Sequence, residues 1–414
     1  MQTTAHAHFH TLGLSEALVH DLTKAGFTQP TSIQAQAIPP ALAGRDVLGC
    51  AQTGTGKTAA FVIPMIERLA TMPNGHPRGL ILAPTRELAL QIQETIDKFG
   101  RSKHIVATTL IGGADMQAQV RGLRQHPDIL VATPGRLLDH MWNGTVNLAP
   151  MKILVLDEAD RMLDMGFAPQ INQILDAMPE ERQTLLFSAT LPEDLASLAR
   201  ASVKNPVRVM SAPPATTADG ITQALHHTTP DNKTTLLVSL LGQGKDTVLV
   251  FTRTKHRADR LGRVLGKAGH KVAVIHGNRT LSQRRAALEG FKRGTFRVLV
   301  ATDIAARGID VANIGHVVNF DLPKCPEDYV HRIGRTARMN ATGRATSFVT
   351  AEDHDQLRAI EKLLGQPVPL AGDSPAPTSA TRRAEQQAHL RPGHGRPGDR
   401  QHSERRAWQR IPPR

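Results

Sequence analysis

Cysteine is scarce in this sequence, and its two occurrences are too far apart to form a recognised site. Only Cys50 and Cys325 occur among the 414 residues. They match no metal-ligand spacing, and two distant thiols do not make a disulfide framework. Zinc modules and disulfide scaffolds are therefore excluded, and we expect a chain that works in a reducing cytosol.

Long apolar runs are lacking as well. No stretch approaches the roughly 20 apolar residues that a membrane helix needs. Residues 1–18, MQTTAHAHFHTLGLSEAL, carry neither a basic n-region nor an apolar h-region. The sequence therefore predicts neither a membrane span nor a secretory signal, and we expect a cytoplasmic location.

Acidic residues are outnumbered, and aromatic residues are few. The chain holds 50 Lys and Arg against 37 Asp and Glu, a formal net charge of +13. Such an excess indicates a polyanionic partner, either a nucleic acid or an acidic membrane surface. Aromatic residues make up only 3% of the chain, with one Tyr and two Trp. Base stacking therefore cannot be the main contact if the partner is a nucleic acid.

What the sequence does contain is two successive sets of short apolar runs that alternate with amphipathic stretches. The first set begins at residues 46, 79, 105, 128, 152 and 184, and the second at 247, 271, 297, 316 and 345. Near-continuous apolar strands separated by helices are typical of parallel sheets covered on both faces. The sequence therefore predicts an α/β fold with two domains, each a mostly parallel sheet flanked by helices.

The predicted domain boundaries follow changes in composition. A segment rich in Pro, Ala, Thr and Gly follows the first set, and an Arg-rich segment without Lys closes the chain. We predict a first domain over residues 1–208, a linker over 209–220, a second domain over 221–370 and a disordered tail over 371–414.

A glycine-rich segment follows the first apolar run. Residues 51–58 are AQTGTGKT and lead into a stretch with helical spacing, which is the strand, turn and helix context of a phosphate-binding P-loop. In this motif backbone N–H groups bind phosphate oxygens, the lysine reaches the β and γ phosphates, and the next hydroxyl ligates Mg²⁺. The residues concerned are Gly54, Thr55, Gly56, Lys57 and Thr58.

Three acids stand at the end of a later apolar run, in KILVLDEAD at residues 152–160. Asp157 can hold the Mg²⁺ that bridges the phosphates, and Glu158 can accept a proton from an attacking water. The cation and Lys57 would supply the positive charge that such a cluster needs. A solvated acidic turn before a helix is the alternative for an isolated cluster, but it leaves the P-loop upstream without a partner.

An ordered set of motifs extends this pattern from about Phe9 to about Leu364. In order they are GFTQPTSIQ, AQTGTGKT, PTREL, GG, TPGR, DEAD, SAT, VFTRT, ATDIAARGID and HRIGRTAR. The chain thereby resembles the DEAD-box RNA helicases of superfamily two, most closely the bacterial RhlE-like branch. The resemblance implies two RecA-like domains, ATP and Mg²⁺ as cofactors, and RNA as the partner.

For the nucleotide, the resemblance implies contacts from both domains. It assigns Phe9 and Gln34 to the adenine and Asp310 to the ribose, and an amide suits an adenine edge, so ATP rather than GTP is implied. The implied catalytic residues are Lys57, Asp157, Glu158, Arg335 and Arg338. The residues that would couple the acids to domain closure are Ser188, Thr190, Asp160 and His331.

The segment HRIGRTAR, residues 331–338, carries the two implied arginine fingers. Arg332, Arg335 and Arg338 recur at a spacing of three, which predicts that they share one helix face and bind an anion there. The resemblance assigns the last two to the γ-phosphate, so hydrolysis would be conditional on closure of the second domain. The family has a glycine where this chain has Ala337.

For the RNA, the resemblance implies backbone contacts from loops of both domains. Hydroxyls, arginines and helix N-termini bind phosphates without reading sequence. The implied residues are Pro84, Thr85, Arg86, Gly112, Gly113, Thr133, Gly135 and Arg136 in the first domain, and Arg284 and Thr302 in the second. The family's Gln-x-x-Arg element is altered, because Leu281 stands in place of the glutamine. Either Gln283 is the counterpart or one RNA contact is absent.

Together these inferences predict an RNA-dependent ATPase that locally unwinds short RNA duplexes or remodels RNA–protein complexes. Two alternatives stay open, an ATP-gated RNA clamp without productive unwinding and a translocating DNA helicase. We expect a monomeric core, with ribosome-assembly or RNA-decay complexes as partners. The Arg-rich tail is predicted to tether RNA, and a functionless extension or a contact to an acidic protein are its alternatives.

Overall fold

The computed structural model describes residues 8–51, 55–190, 193–210, 220–306, 314–337 and 342–371. Within these ranges the chain forms two parallel sheets, which lie in one contact unit that ends at Ala371. Most of the predicted linker and nearly all of the predicted tail lie outside the described residues.

The first sheet has seven strands. They are β1 Val47–Cys50, β2 Gly79–Leu82, β3 Ala107–Leu110, β4 Ile129–Ala132, β5 Ile153–Leu156, β6 Gln183–Ser188 and β7 Val207–Met210. Their order across the sheet is β3-β4-β2-β5-β6-β1-β7, and every pair is parallel. The carboxyl ends of all seven strands therefore lie along one edge.

Nine helices accompany this sheet in the described part of the chain, after a short 3₁₀ turn at Phe9–Leu12. They are α1 Glu16–Lys24, α2 Ser32–Leu42, α3 Lys57–Leu69, α4 Arg86–Phe99, α5 Met116–Leu123, α6 Pro134–Trp142, α7 Ala159–Asp164, α8 Ala168–Asp176 and α9 Glu193–Ser202. Successive strand residues alternate between two cores. In β2, Ile81 packs with α2, α3 and α4, whereas Leu80 and Leu82 pack with α6, α7 and α8.

The second sheet has six strands. They are β8 Ile221–His227, β9 Val248–Thr252, β10 Val272–Ile275, β11 Val298–Thr302, β12 His316–Asn319 and β13 Gly343–Val349. Their order is β10-β11-β9-β12-β13-β8, again parallel throughout. Its helices are α10 Lys233–Gly242, α11 Lys255–Lys267, α12 Leu281–Lys292, α13 Asp303–Ala306, α14 Pro326–Ile333 and α15 His354–Leu364.

The predicted α/β fold with two parallel sheets is confirmed. All eleven predicted strands form, but β7 and β8 were not predicted. Both are edge strands with mixed burial, so they lack the continuous apolar run that marks a strand buried on both faces. The predicted end of the first domain at residue 208 falls inside β7, which belongs to the first sheet.

No helix in the described ranges is both long enough and apolar enough to cross a membrane.

Candidate nucleotide site and nucleic-acid track

The predicted site residues of the first domain line up along the carboxyl edge of its sheet. Following the sheet order, the edge carries residues 112–113 after β3, 133–136 after β4, 84–86 after β2, 157–158 after β5, 188–190 at β6, and the P-loop after β1. Ligands of open parallel sheets bind outside this edge. One half therefore holds the loops predicted to contact RNA, and the other half holds the loops predicted to contact ATP.

Lys57 is the first residue of α3, and its surroundings favour an anion. The side chain is buried, and its Nζ has no hydrogen-bond partner among the described residues. An ammonium buried without a partner is costly, so the position is suited to a negatively charged ligand. Gly56 precedes it with a φ of 91°, a conformation that favours glycine.

Gln34 connects the P-loop to the start of α2. Its Nε2 donates to the carbonyl oxygen of Gly56 at 3.1 Å, and its Oε1 accepts from the backbone N–H of Thr31 at 2.9 Å. Phe9 is buried in the first core. The adenine contacts of Phe9 and Gln34 stay predictions. Three further predicted nucleotide contacts, Gly54, Asp310 and Arg338, lie outside the described residues.

Asp157 and Glu158 follow β5 and are both buried. Burial raises the pKa of Asp157 to about 7, although the Lys57 ammonium acts to lower it and the Glu158 carboxylate raises it further. Glu158 has a φ of 50°, a left-handed conformation that costs a non-glycine residue roughly 1–2 kcal/mol. Its Oε2 has no hydrogen-bond partner in the described part of the chain. Strain of this kind concentrates at functional sites.

These observations fit a magnesium ion. A buried carboxylate with a raised pKa lacks sufficient positive charge nearby, and a divalent cation would supply it. Among the described residues no group of three or more His, Cys, Asp and Glu side chains could hold a metal ion. Mg²⁺ commonly takes only one or two carboxylates together with substrate phosphates and water. Asp157 and the half-buried Thr58 are the residues that could hold it.

Asp160 joins the acids to the SAT segment. Its Oδ2 accepts from the backbone N–H of Ala189 at 3.1 Å, and from the N–H and the hydroxyl of Thr190 at 2.9 and 3.0 Å. Ser188 donates its hydroxyl to the carbonyl of Thr190 at 2.6 Å. Burial alone would raise the pKa of Asp160, but the charge on Lys57 holds it below its usual value. A shift in the SAT segment would therefore reach the acids directly.

Arg161 was not singled out in the sequence, yet it connects the acids to the second domain. It is buried, and its Nε lies 3.5 Å from Glu158 Oε2. It shares a narrow cleft with His331 and Arg335 of the second domain. Burial, with the neighbouring charge of Arg161, lowers the pKa of His331 well below its usual value. The imidazole is therefore neutral at the domain boundary.

The prediction that three arginines share one helix face is wrong. Helix α14 ends at Ile333, before Arg335. Arg332 already has its anion, because it donates to both carboxylate oxygens of Asp303 at 2.6 and 2.7 Å and is fully buried. Arg335 is also buried and lies in the cleft beyond the helix end. Ala337 has a φ of 54°, so the family's glycine would suit this backbone better.

The first-domain loops predicted to contact RNA form one connected surface. Arg86 lies against Gly113, where an added Cβ would overlap its guanidinium, and Gly113 has a φ of 74°. Arg136 donates to the carbonyl of Ala114 at 3.0 Å, next to the same glycines. Thr85 caps α4 by accepting from Leu88 N–H at 3.3 Å. The arrangement leaves polar groups and helix N-termini together at one end of the edge.

The second-domain residues of the predicted track meet the first domain. Arg284 is buried and forms an ion pair with Glu87 at 2.7 Å, and Leu281 packs against the first core. Gln283 caps α12, because its Oε1 accepts from Thr280 N–H at 3.1 Å. Thr302 ends β11, opposite Thr252 of β9. Leu281 has no side-chain amide, Gln283 uses its Oε1 in this cap, and the RNA roles of Gln283 and Arg284 stay predictions.

Comparison with known protein families matches both halves of the chain. The family described as DEAD/DEAH box helicase matches residues 31–198, and the helicase conserved C-terminal domain matches residues 232–340. The DEAD-box ATP-dependent RNA helicase CshA of Geobacillus kaustophilus is 44% identical over 355 residues, 86% of this chain and 76% of that protein. CshA of Bacillus licheniformis is 45% identical over 355 residues, 86% and 73% respectively.

Solved structures agree with this assignment. S. cerevisiae Dbp5 bound to RNA and ADP BeF3 superposes with a TM-score of 0.80 at 31% identity, covering 93% of this chain and 99% of that chain. Mss116p bound to ssRNA and AMP-PNP gives a TM-score of 0.83 at 26% identity, covering 95% and 84%. The two sheets are thus RecA-like domains, and the chain belongs to the DEAD-box ATP-dependent RNA helicases.

Proposed function

We propose that the chain is an RNA-dependent ATPase that uses ATP to bind single-stranded RNA and to separate short duplexes locally. One observation carries this proposal: a single sheet edge holds the buried, unpaired Lys57 and two buried acids, of which Glu158 is strained, beside loops suited to nucleic-acid backbone. The relatives named for RNA helicase activity, and the RNA-bound relatives, support it.

The first step is binding of the triphosphate. Lys57 gives the phosphates a buried cation, and the N–H groups at the start of α3 face the same ligand. Asp157 and Thr58 are the residues that would hold a Mg²⁺ ion, which would neutralise charge on the phosphates. ATP and RNA bound together would favour the closed arrangement of the two domains.

Hydrolysis then depends on both domains. Glu158 takes a proton from the attacking water, and its strained backbone and its contact with Arg161 fix the carboxylate. Arg335, delivered by the second domain, stabilises charge that develops on the γ-phosphate, as Arg338 also would. Asp160, Ser188, Thr190 and His331 form the connection through which closure is sensed. Loss of the γ-phosphate removes the group that residues of both domains contact, and the two domains return to the open arrangement.

RNA contact is made through the backbone. Gly112, Gly113, Arg86 and Arg136 form the first-domain part of the track, with Pro84, Thr85, Thr133 and Gly135 beside them. Thr302 and Arg284 form the second-domain part. Because the Arg284 guanidinium is paired with Glu87, we propose that it orients the two domains as well as the strand. Recognition of phosphates gives little sequence preference.

A strand-displacement assay tests this proposal against an ATP-gated clamp. A short RNA duplex with a single-stranded overhang is mixed with the protein, ATP and Mg²⁺, and the released strand is measured. A helicase is supported if ATP gives repeated release of the RNA strand and a non-hydrolysable ATP analogue does not. Tight ATP-dependent binding without displacement would identify a clamp, and stronger ATPase stimulation by DNA than by RNA would identify a DNA helicase.

Three finer predictions accompany the proposal. We expect a cytoplasmic protein, because both cysteines are free thiols. We expect a monomeric core that works on ribosome-assembly or RNA-decay complexes. The RhlE-like placement stays a prediction, since the relatives named above are CshA proteins.

A further inference from the structure

Of the two domains, only the second carries an excess of positive charge. Residues 220–371 hold 23 Lys and Arg against 13 Asp and Glu, whereas residues 1–219 hold 18 against 20. The nucleotide site and the predicted track account for only a few of these cations. The remaining excess is a surface property, and its position on the fold indicates what it attracts.

Much of the excess lies on α11. Arg260, Arg263 and Lys267 follow one another at spacings of three and four residues, so their side chains share one face of the helix. All three are exposed, and none forms an ion pair with a described residue. We call these three residues the α11 basic face.

The α11 basic face is not balanced by its own helix. Asp259 is the only acid on α11, and its Oδ1 lies 2.7 Å from Arg279 and 3.0 Å from His276. Like charges on neighbouring positions of one helix face repel one another and destabilise the helix. An ordinary solvated helix face mixes both signs, whereas a polyanion would relieve this repulsion.

Neighbouring arginines behave differently. Arg253 pairs with Asp353 at 3.1 Å, and Arg257 pairs with Asp321 at 2.5 Å. These two arginines line a cavity of about 450 Å³, and Arg260 stands on the same wall. Arginines that stabilise the domain are therefore paired with acids, whereas the residues of the α11 basic face have no acidic partner among the described residues.

The helix that carries this face begins beside the predicted RNA track, and Arg260 is its sixth residue. Thr254 caps α11, accepting from the N–H of Arg257 at 3.2 Å. It stands two residues after Thr252, whose partner across the sheet is Thr302. The 13 residues of α11 extend about 20 Å from that point, at 1.5 Å per residue. An RNA strand that leaves the track at Thr302 could therefore continue along the helix.

We propose that the α11 basic face is a second RNA-binding surface, which binds phosphates of the RNA flank that extends beyond the track. This inference rests on the proposed function and deepens it. An acidic protein is the less favoured partner, because Val264 is the only large hydrophobic residue exposed on this helix and protein interfaces need apolar anchors. Phosphate contacts would lengthen the RNA footprint without adding sequence preference.

The test compares two triple variants of the full chain. Arg260→Gln, Arg263→Gln and Lys267→Gln together remove the α11 basic face. Lys245→Gln, Arg358→Gln and Lys362→Gln together remove the same charge from exposed positions elsewhere in the second domain. Each protein is titrated over a range of salt with a short single strand that spans only the track, and with the same strand extended at either end.

We expect the α11 variant to bind the extended strand on the order of tenfold more weakly, with a log–log salt slope smaller by roughly 2, or about 0.7 for each of three phosphates. Its affinity for the short strand, and its nucleotide binding, should match the control variant. Arg263→Gln alone, with a slope change of about 0.7, serves if the triple variant does not fold.

Equal slopes and affinities for the extended strand in the two triple variants would overturn the inference. The α11 basic face would then not bind RNA, even if it were found to bind an acidic protein. Failure of the unchanged chain to bind the short strand would instead contradict the proposed function. The two failures are therefore distinguishable.

Discussion

The two domains share one architecture but use it differently. Each is a parallel sheet with helices on both faces, and each places its loops at the carboxyl edge of the strands. In the first domain that edge holds Lys57 and Glu158, buried polar groups without hydrogen-bond partners among the described residues. In the second domain the comparable arginine, Arg332, is fully satisfied by Asp303 and its neighbours.

This difference indicates which domain supplies the reacting groups. Buried polar groups without partners reduce the stability of a fold, and they persist where a ligand completes them. The nucleotide edge of the first domain is therefore incomplete without a ligand, whereas Arg332 of the second domain already has its partners. We infer that the second domain acts by position and charge, and that the first domain supplies the reacting groups.

Lys57→Ala tests the chemical role of the first domain and should have the largest effect. Without the buried ammonium the triphosphate loses its main cation, so nucleotide binding and ATPase activity should fall below detection. Binding of a fluorescent ATP analogue measures the loss, and circular dichroism checks the fold. The exposed Lys24→Ala is the matched control. Normal nucleotide affinity in Lys57→Ala would show that the P-loop was assigned wrongly.

Arg335→Ala tests whether the second domain acts by position. Nucleotide binding to the first domain should survive, while RNA-stimulated turnover should fall by about 10³-fold, the typical contribution of an arginine finger. The measurement is steady-state ATPase activity with and without RNA. Unchanged stimulation would mean that the finger lies elsewhere, and the contrast between the two domains would then be weaker.

Glu158→Gln separates chemistry from binding within the first domain. The amide keeps the size of the side chain but cannot accept the proton of the attacking water. Turnover should fall by about 10²-fold or more, while ATP and RNA still bind and form a long-lived complex. Turnover near that of the unchanged chain would exclude Glu158 as the base.

The sequence predicted the buried strands and the motif loops because both depend on local signals. Apolar runs predicted eleven strands. They did not predict β7 and β8, because these edge strands carry both buried and exposed side chains and have no continuous apolar run. The three-residue spacing of the arginines predicted a continuous helix, but α14 ends at Ile333. Spacing alone does not reveal a helix end.

The contacts between distant segments could not be predicted in this way. Glu87 lies inside the PTREL motif, and Arg161 directly follows the DEAD motif. Their partners, Arg284 and the cleft at His331, are more than 150 residues away. Only packing of the two domains brings such groups together, so residue types and spacing carry no signal for them.

The dependence of stability on acid tests a buried group of the second domain that already has its partner, His316. This histidine is buried, its Nε2 lies 2.8 Å from Thr346 Oγ1, and burial lowers its pKa to about 4, with Arg344 also lowering it and Asp246 opposing. The unfolded chain takes up this proton near pH 6.5, but the folded chain does not until about pH 4. Stability should therefore fall on acidification through this window.

Between pH 7 and pH 5 the contribution of His316 amounts to about 2 kcal/mol. His316→Gln should remove that part of the pH dependence, whatever it does to stability at pH 7. Urea unfolding at several pH values measures it, with the exposed His20→Gln of the first domain as the control. Parallel pH profiles for the His316 variant and the unchanged chain would show that this histidine is not held neutral.

Ala337→Gly is expected to have the smallest effect, and it asks whether the second domain carries strain of its own next to the arginine finger. Ala337 has a φ of 54°, where a Cβ costs roughly 1–2 kcal/mol that glycine does not incur. Part of that gain is lost because glycine adds freedom to the unfolded chain. The net result should be a stabilisation of about 0.5–1 kcal/mol in urea unfolding.

Ala268→Gly, at a φ of −79° in the same domain, is the matched control and should be neutral or destabilising. If both variants lose stability alike, the left-handed backbone at Ala337 carries no strain, and strain at the site would be confined to Glu158 in the first domain.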